Sequence, residues 1–410
     1  MVKFSGALDK KVLKKYYDLP NANPDECQAM YIWIDGTGEG LRCKTKTLSK
    51  PPNSIVDLPM WNYDGSSTYQ AEGSNSDMYI IPRAMYKDPF RRAPNVLVLC
   101  DVYKYDQRVA ETNFRSALSK TVERSAVSDH QPLVGFEQEL TFMAQDSHPL
   151  GWAKMGFPGP QGPYYCAVGA NRVFGRDIME SHYRACLYAG LTISGANAGT
   201  MPAQWQYQIG PLPGVEAADQ CWISRFIMYR VAEEFGVGVS LDPKPVEGDW
   251  NGCGCYINFS TKEMREKDGL KHIEEAVENL SLHHLPHIKV YDCCGGEDNK
   301  RRLVGDHNTS NFDKFTSGVA NRHVSVRIPR AVYDSGKGHL QDRRPAANCD
   351  PYRVVLAMMK TVILDEDFET QPAQPSAAVN PAIANLQNPA ERKLSHSEVE
   401  RQRQRRPSAV

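Results

Sequence analysis

No apolar run in this chain approaches the roughly 18 residues that a membrane-spanning helix needs, so the sequence does not read as a membrane protein. The opening residues Met1–Tyr17 lack the apolar core of a secretory signal. They read instead as a lysine-rich amphipathic helix with Leu8, Val12 and Leu13 on one side. Net charge is also almost missing. The 48 Lys and Arg against 49 Asp and Glu leave −1, which excludes a global basic field for nucleic acid. Finally, the 11 cysteines, an odd number, include no C-x-x-C pair of the kind found in structural zinc sites. Cys253-Gly-Cys255 and Cys293-Cys294 could each supply half a metal site, but reduced, separate thiols in the cytoplasm are the simpler reading.

What is present is an ordinary globular composition, 41% hydrophobic and 24% charged, over 410 residues, too many for one small core. Met30–Asp35 reads as a strand, Gly36–Gly40 as a hairpin turn and Leu41–Lys46 as the return strand. Trp61–Ser67 is turn-rich, and further strands follow at Tyr79–Ile81 and Val96–Cys100. Together these make a β-rich unit over 1–105. From Ala110 strands and helices mix. A Thr112 cap precedes a helix, helices cover Arg176–Ala189, Ala217–Phe235 and Gly269–Leu282, and strands cover Gly254–Phe259 and Val324–Ile328. Irregular connections between the pieces of sheet indicate an α+β class. A second unit spans 106–364. Beyond it, 365–410 is a polar tail with no aromatic after Phe368, read as disordered. Ser395 and Ser408 follow basic pairs in this tail and are candidate phosphorylation sites.

One stretch carries the most information. In Asn197–Pro211 the residues alternate: Trp205, Tyr207 and Ile209 form a core face, while Gln204, Gln206 and Gln208 form a row of neutral amides. Such a row would line a groove. Glu137 and Glu139, two residues apart, would likewise point to one face of a strand.

Several long motifs together resemble the eukaryotic, animal-like glutamine synthetase family. They include Met30–Lys44, Trp61–Thr68, Glu72–Met78, Gly156–Cys166, Asp242–Pro245 and Asp342–Asp350, within a match over about 10–364. The resemblance implies a small β-grasp domain, then a catalytic domain with a curved antiparallel sheet. It implies stacked homo-oligomeric rings, a decamer, with each site between neighbouring subunits. The chemistry would be ATP-dependent formation of glutamine from glutamate and ammonia with Mg²⁺ or Mn²⁺. Transfer of a phosphoryl group to a carboxylate brings two anions together, so such a site needs cations and arginines.

On the matching positions, Glu137 and Glu139 are metal-binding glutamates. Asn251 and Gly252 form the glutamate-holding turn. Arg302, Arg322 and Arg343 are substrate and phosphate arginines, while Asn258, Ser260 and Arg327 lie on the nucleotide side. Asp64 matches an aspartate that helps bind ammonium across the subunit interface. Against these stand five departures. Gly199, Gln206 and Gln341 occupy metal-binding glutamate positions, Tyr256 a histidine position, and Asn308 that of the flap glutamate. Five carboxylates and a histidine thus become two carboxylates. An amide meets a cation only as a dipole, and a phenol with a pKa of about 10 stays neutral. Losing one electrostatic stabiliser costs about 10²–10³ in rate. The expectation is therefore an inactive family member that holds metal weakly or not at all, with a structural, regulatory or ligand-sensing role. It could co-assemble with an active paralogue and bind neither nucleic acid nor membrane. The alternative is an active glutamine synthetase with a rebuilt site.

Overall fold

The computed structural model describes residues 15–20, 22–153 and 155–367. The expected N-terminal helix face (Leu8, Val12, Leu13) and the tail with Ser395 and Ser408 lie outside the described residues. The described part is built on two sheets. The first has the strand order β2-β1-β5-β4-β3, from β1 (Cys27–Ile34), β2 (Leu41–Leu48), β3 (Trp61–Asp64), β4 (Asp77–Lys87) and β5 (Val96–Tyr103). The hairpin forms as read, with Ile34 opposite Leu41. The segment expected as a turn, Trp61–Asp64, is instead an edge strand on β4, and the turn follows at Gly65–Thr68. Gly36 must be glycine, because a Cβ there would lie 2.0 Å from the Tyr69 carbonyl.

β1 is buried along nearly its whole length, and its period of two serves two cores. Tyr31 and Trp33 pack with Tyr63, Met78, Val98 and Cys100 inside the small sheet's core. Met30 and Ile32 point the other way and pack, with Leu97 and Leu99, into a cluster that includes Trp205, Tyr207 and Phe226 of the larger unit. Each such side chain stabilises by about 1.5–3 kcal/mol, so the first sheet is fastened to the second by its own strand alternation.

The second sheet runs β11-β12-β13-β10-β6-β8-β7, with β9 also on β6. Its strands are β6 (Leu133–Met143), β7 (Ile193–Ala198), β8 (Gln204–Pro213), β9 (Gly238–Ser240), β10 (Cys255–Ser260), β11 (Ser317–Val319), β12 (Val326–Ile328) and β13 (Leu340–Asp342). Five of the helices matter here: α1 (Phe114–Val122), α2 (Arg176–Ala189), α3 (Gly214–Phe235), α4 (Leu270–Leu282) and α5 (Pro351–Met359). The cap of α1 is Asn113 rather than Thr112, since the Asn113 side chain accepts the Ser116 N–H at 3.1 Å. Behind the sheet, α3 is buried from Ala217 through Met228. Arg225, in the middle of α3, donates to Gln138 of β6 and to the carbonyls of Ala347 and Cys349. A buried guanidinium is tolerable only with such full pairing. The Gln138 side is therefore the core face of β6, and Glu137 and Glu139 point to the opposite face.

Candidate active site

Register brings the polar face together. Glu139 is paired with Gln206, and Glu137 with both Gln208 of β8 and Tyr256 of β10. Asn258 is paired with Gln341 of β13, and Gln341 with Arg327 of β12. Glu137 and Gln341, 204 positions apart in sequence, are thereby set on one surface, as the resemblance implied for a ligand-binding floor.

The two retained carboxylates are occupied by the residues that stand at altered positions. The Gln206 amide donates to Glu137 Oε1 at 2.9 Å. The Tyr256 hydroxyl donates to Glu139 Oε2 at 3.0 Å, and the Gly254 N–H donates to the same oxygen at 2.6 Å. Burial raises both carboxyls above their ordinary range. For Glu137 the Arg343 guanidinium opposes this, while for Glu139 the Gly254 N–H opposes it and Glu137 adds to it. Burial, then Glu139, keeps the Tyr256 phenol neutral.

Arginines close the other side. Arg343 lies over the Tyr256 ring, 4.1 Å from its centroid. It also donates to Gln341 Oε1 at 3.3 Å and to the Asn308 carbonyl at 3.2 Å. Arg327 donates to the same Gln341 oxygen. Burial and the neighbouring Arg322 and Arg343 lower the pKa of Arg327. Arg302 is committed to the carbonyls of Arg343, Arg344 and Pro345 and to Asn299. Arg322 is exposed at the rim, its carbonyl accepting from Arg343.

The remaining expected residues differ in how available they are. Asn251 donates to Gln204 Oε1 and accepts nothing from Arg302, while Gly252 lies so close to Arg302 that a Cβ would stand 2.6 Å from its side chain. Ser260 is buried, and its hydroxyl accepts from Arg265, which leaves Asn258 as the more open nucleotide-side residue. Asn308 sits in the left-handed region at φ +60°, a conformation that suits asparagine. Next to it, His307 joins Gln161 at 2.6 Å and Asp249 at 2.9 Å, tying this loop to two others. The carboxylate of Asp306 accepts the His307 N–H and is exposed. Asp64 stands apart on the edge of the first sheet, where Ser66 and Ser67 hold its carboxylate well below the usual range. Gln204, expected to line the groove, is instead 1% exposed and bonded to the Gly252 carbonyl.

Whether this face fits divalent cations follows from its donors. Mg²⁺ and Mn²⁺ take hard oxygen ligands, and two such ions side by side need several free carboxylates to offset their charge. Here burial raises the pKa of both carboxyls, and each carboxylate already accepts donors from the protein. Gln341 faces two arginines, and Gly199 supplies no side chain. A Cβ at Gly199 would stand 2.7 Å from Gln204 Oε1, so the position is filled by a neighbouring amide. The donor set does not fit a pair of divalent ions.

The raised carboxyls make a pH prediction. With the folded pKa above the unfolded value of about 4.3, the folded chain binds more protons between the two values. Stability contributed by Glu137 and Glu139 is therefore present below that window and lost as pH rises through it. Glu137→Gln is expected to flatten this fall, measured as urea midpoints stepped upward from about pH 4. An unchanged slope would show that Glu137 ionises freely in the fold.

Comparison with known proteins agrees with this architecture. The model for the glutamine synthetase beta-Grasp domain matches residues 26–105, and that for the glutamine synthetase catalytic domain matches 111–289. Human glutamine synthetase is 58% identical over 362 residues, 88% of this chain and 96% of its own. The chicken enzyme is 58% identical over 369 residues, covering 89% and 98%, and the Xenopus laevis enzyme 54% over 383, covering 93% and 97%. Among the described residues no helix is long and apolar enough to cross a membrane. With both domain models matched and these relatives covered over nearly their whole length, the chain belongs to the glutamine synthetase family.

Proposed function

We propose that this chain is a family member without the metal-dependent ligase activity, retaining its active-site face as an arginine-rich pocket for anions. The observation that carries this reading is the pairing of Tyr256 with Glu139 and of Gln206 with Glu137. The residues standing at ligand positions hydrogen-bond the remaining carboxylates instead of sharing a cation with them. Arg343, Arg327 and the exposed Arg322 outnumber the two carboxyls, which are already hydrogen-bonded within the protein, so the pocket suits a carboxylate or phosphate ligand. Glutamate and ATP are the ligands the family suggests, with Asn258 and Arg327 on the nucleotide side and Asn251 and Arg343 on the glutamate side. The role would be structural, regulatory or ligand-sensing within stacked rings of this cytoplasmic chain, a decamer, alone or mixed with an active paralogue. In such a ring Asp64 of one subunit would serve a neighbour's site.

A second reading is supported by the extent of the likeness. Identity of 58% over 88% of the chain to a curated glutamine synthetase favours a working enzyme that makes glutamine from glutamate, ammonia and ATP. Likeness alone favours that reading; the donor set favours the first.

The two separate in one assay. Purified protein with glutamate, ammonium, ATP and millimolar Mg²⁺ or Mn²⁺ is expected to form no glutamine above a matched blank, given a cost of about 10²–10³ for each lost stabiliser. Clear ATP-dependent turnover would establish the enzyme and discard the inactive reading. Calorimetry with ATP and with glutamate tests the pocket: heat of binding without turnover supports sensing, and silence for both removes it.

A further inference from the structure

The two cysteine pairs that the sequence sets side by side have different surroundings. Cys253 is buried against Thr141 and Gln204, with no acidic neighbour in its hydrogen bonds. Cys293 and Cys294 instead lie with Asp298 so that one ligand atom from each falls within 4.8 Å of the others. A fourth donor comes from the other sheet. The Cys293 thiol points to Glu39 Oε2 at 3.2 Å, from the loop between β1 and β2.

The frame around these groups is already built. Asp292, fully buried, accepts the N–H groups of Cys294, Gly296 and Asn299, and so winds the loop that presents both thiols. An independent mismatch points into the cluster. Asn348 is 3% exposed, and its side-chain nitrogen is within 3.1 Å of Glu39 Oε2, Cys293 Sγ and Asp298 Oδ2. That nitrogen has two hydrogens for three acceptors, while Asn348 Oδ1, also buried, has no partner. Acceptors are in excess around that nitrogen, and turning the amide over would bring the orphaned Oδ1 to the same three groups, an arrangement that a cation there would satisfy.

We propose that Cys293, Cys294, Asp298 and Glu39 form a binding site for a thiophilic divalent cation such as Zn²⁺, separate from the active-site face. Two thiolates and two carboxylates match the ligand types Zn²⁺ takes. Ligands of a tetrahedral ion bonded at 2.0–2.3 Å stand about 3.3–3.8 Å apart, so the 3.2 Å Cys293–Glu39 approach needs little change, while Cys293, Cys294 and Asp298, within 4.8 Å of one another, would close by about 1 Å. Binding releases the two thiol protons to solvent and changes no oxidation state. Arg301, paired with Asp298 and Asp242, supplies positive charge beside the resulting anionic complex. The ion would cross-link the β1–β2 loop of the first sheet to the Cys293–Cys294 turn and the short helix Glu297–Arg302 that follows it.

The test titrates the metal-stripped, reduced full chain with Cd²⁺ alone and follows the ultraviolet thiolate-to-cadmium charge-transfer absorbance. Saturation at one Cd²⁺ per chain is expected. Cys293→Ser and Cys294→Ser should each remove the band, and Glu39→Gln, which keeps both thiols, should weaken binding about tenfold or more. Metal-free melting curves check that the variants fold, and if Cys293→Ser does not, Cys294→Ser and Glu39→Gln carry the test. The proposal fails if no band forms, if Cys294→Ser leaves the band intact, or if Glu39→Gln titrates as the parent does. It also fails if the protein isolated without oxidant carries a Cys293–Cys294 disulfide by mass.

Discussion

Glutamate placed at position 206 is expected to destabilise the metal-free protein by about 3 kcal/mol at neutral pH, within the range for an uncompensated buried charge. Gln206 now donates to Glu137 at 2.9 Å. Gln206→Glu replaces that donor with a second carboxyl, paired across the strands with Glu139 as well. Two buried carboxyls at this distance cannot both ionise, so the group must take up a proton or the local structure must open. A divalent cation reverses the sign of the problem. Millimolar Mn²⁺ is therefore expected to restore much of the loss in Gln206→Glu while leaving the parent chain's stability unmoved, both read from urea unfolding with and without the metal. Should Mn²⁺ stabilise the parent as strongly as the variant, the native face accepts cations and the inactive reading loses its physical basis. Restoring position 199 is harder than its chemistry suggests. The Cβ of Gly199→Glu would meet the Gln204 side chain at 2.7 Å, and Gln204 is held by the Gly252 carbonyl, so two residues would have to move.

Arg344→Met is expected to cost about 3–5 kcal/mol, among the largest effects of a single substitution in the chain. Arg344 and Asp342 are both fully buried, with a shortest contact of 2.6 Å and two further bonds from Arg344 Nε to the carboxylate. Tyr291 donates to the same carboxylate, and Arg344 also reaches His284. Removing the guanidinium strands the Asp342 charge beneath the sheet. Adding Asp342→Asn to Arg344→Met should recover part of the loss, and a double-mutant cycle in urea measures how much. Strict additivity would mean that the pair is not coupled. The effect should reach the pocket, because Gln341 and Arg343 flank Asp342 in β13 and its continuation. Weaker anion binding in Arg344→Met, at temperatures where it remains folded, is the corresponding readout.

Much of the architecture was legible because it rests on local periodicity. Trp205, Tyr207 and Ile209 are buried as their alternation requires, and Ile273, Val277 and Leu280 line the buried side of α4. The misreadings have a common origin in long-range partners. Trp61–Asp64 is polar and turn-like in isolation and becomes a strand because β4 offers it an edge. Gln204 belongs by spacing to the open amide row, yet the loop around Asn251–Cys253 covers it. Nothing near Glu39 in sequence announces Cys293, 254 residues away.

The sequence by itself determined which donors exist at this face: Glu137 and Glu139 as carboxylates, Gly199, Gln206, Tyr256 and Gln341 at the positions where the resemblance implies cation ligands, and Asn308 where it implies the flap glutamate. Residue identity sets charge and donor type, and folding does not change it. Only the tertiary structure decided what those residues do with one another. The strand register turns the Tyr256 hydroxyl onto Glu139 and the Gln206 amide onto Glu137, and it stacks Arg343 over the Tyr256 ring. Those pairings depend on Å-scale approach between segments far apart in the chain, which spacing along one segment does not encode.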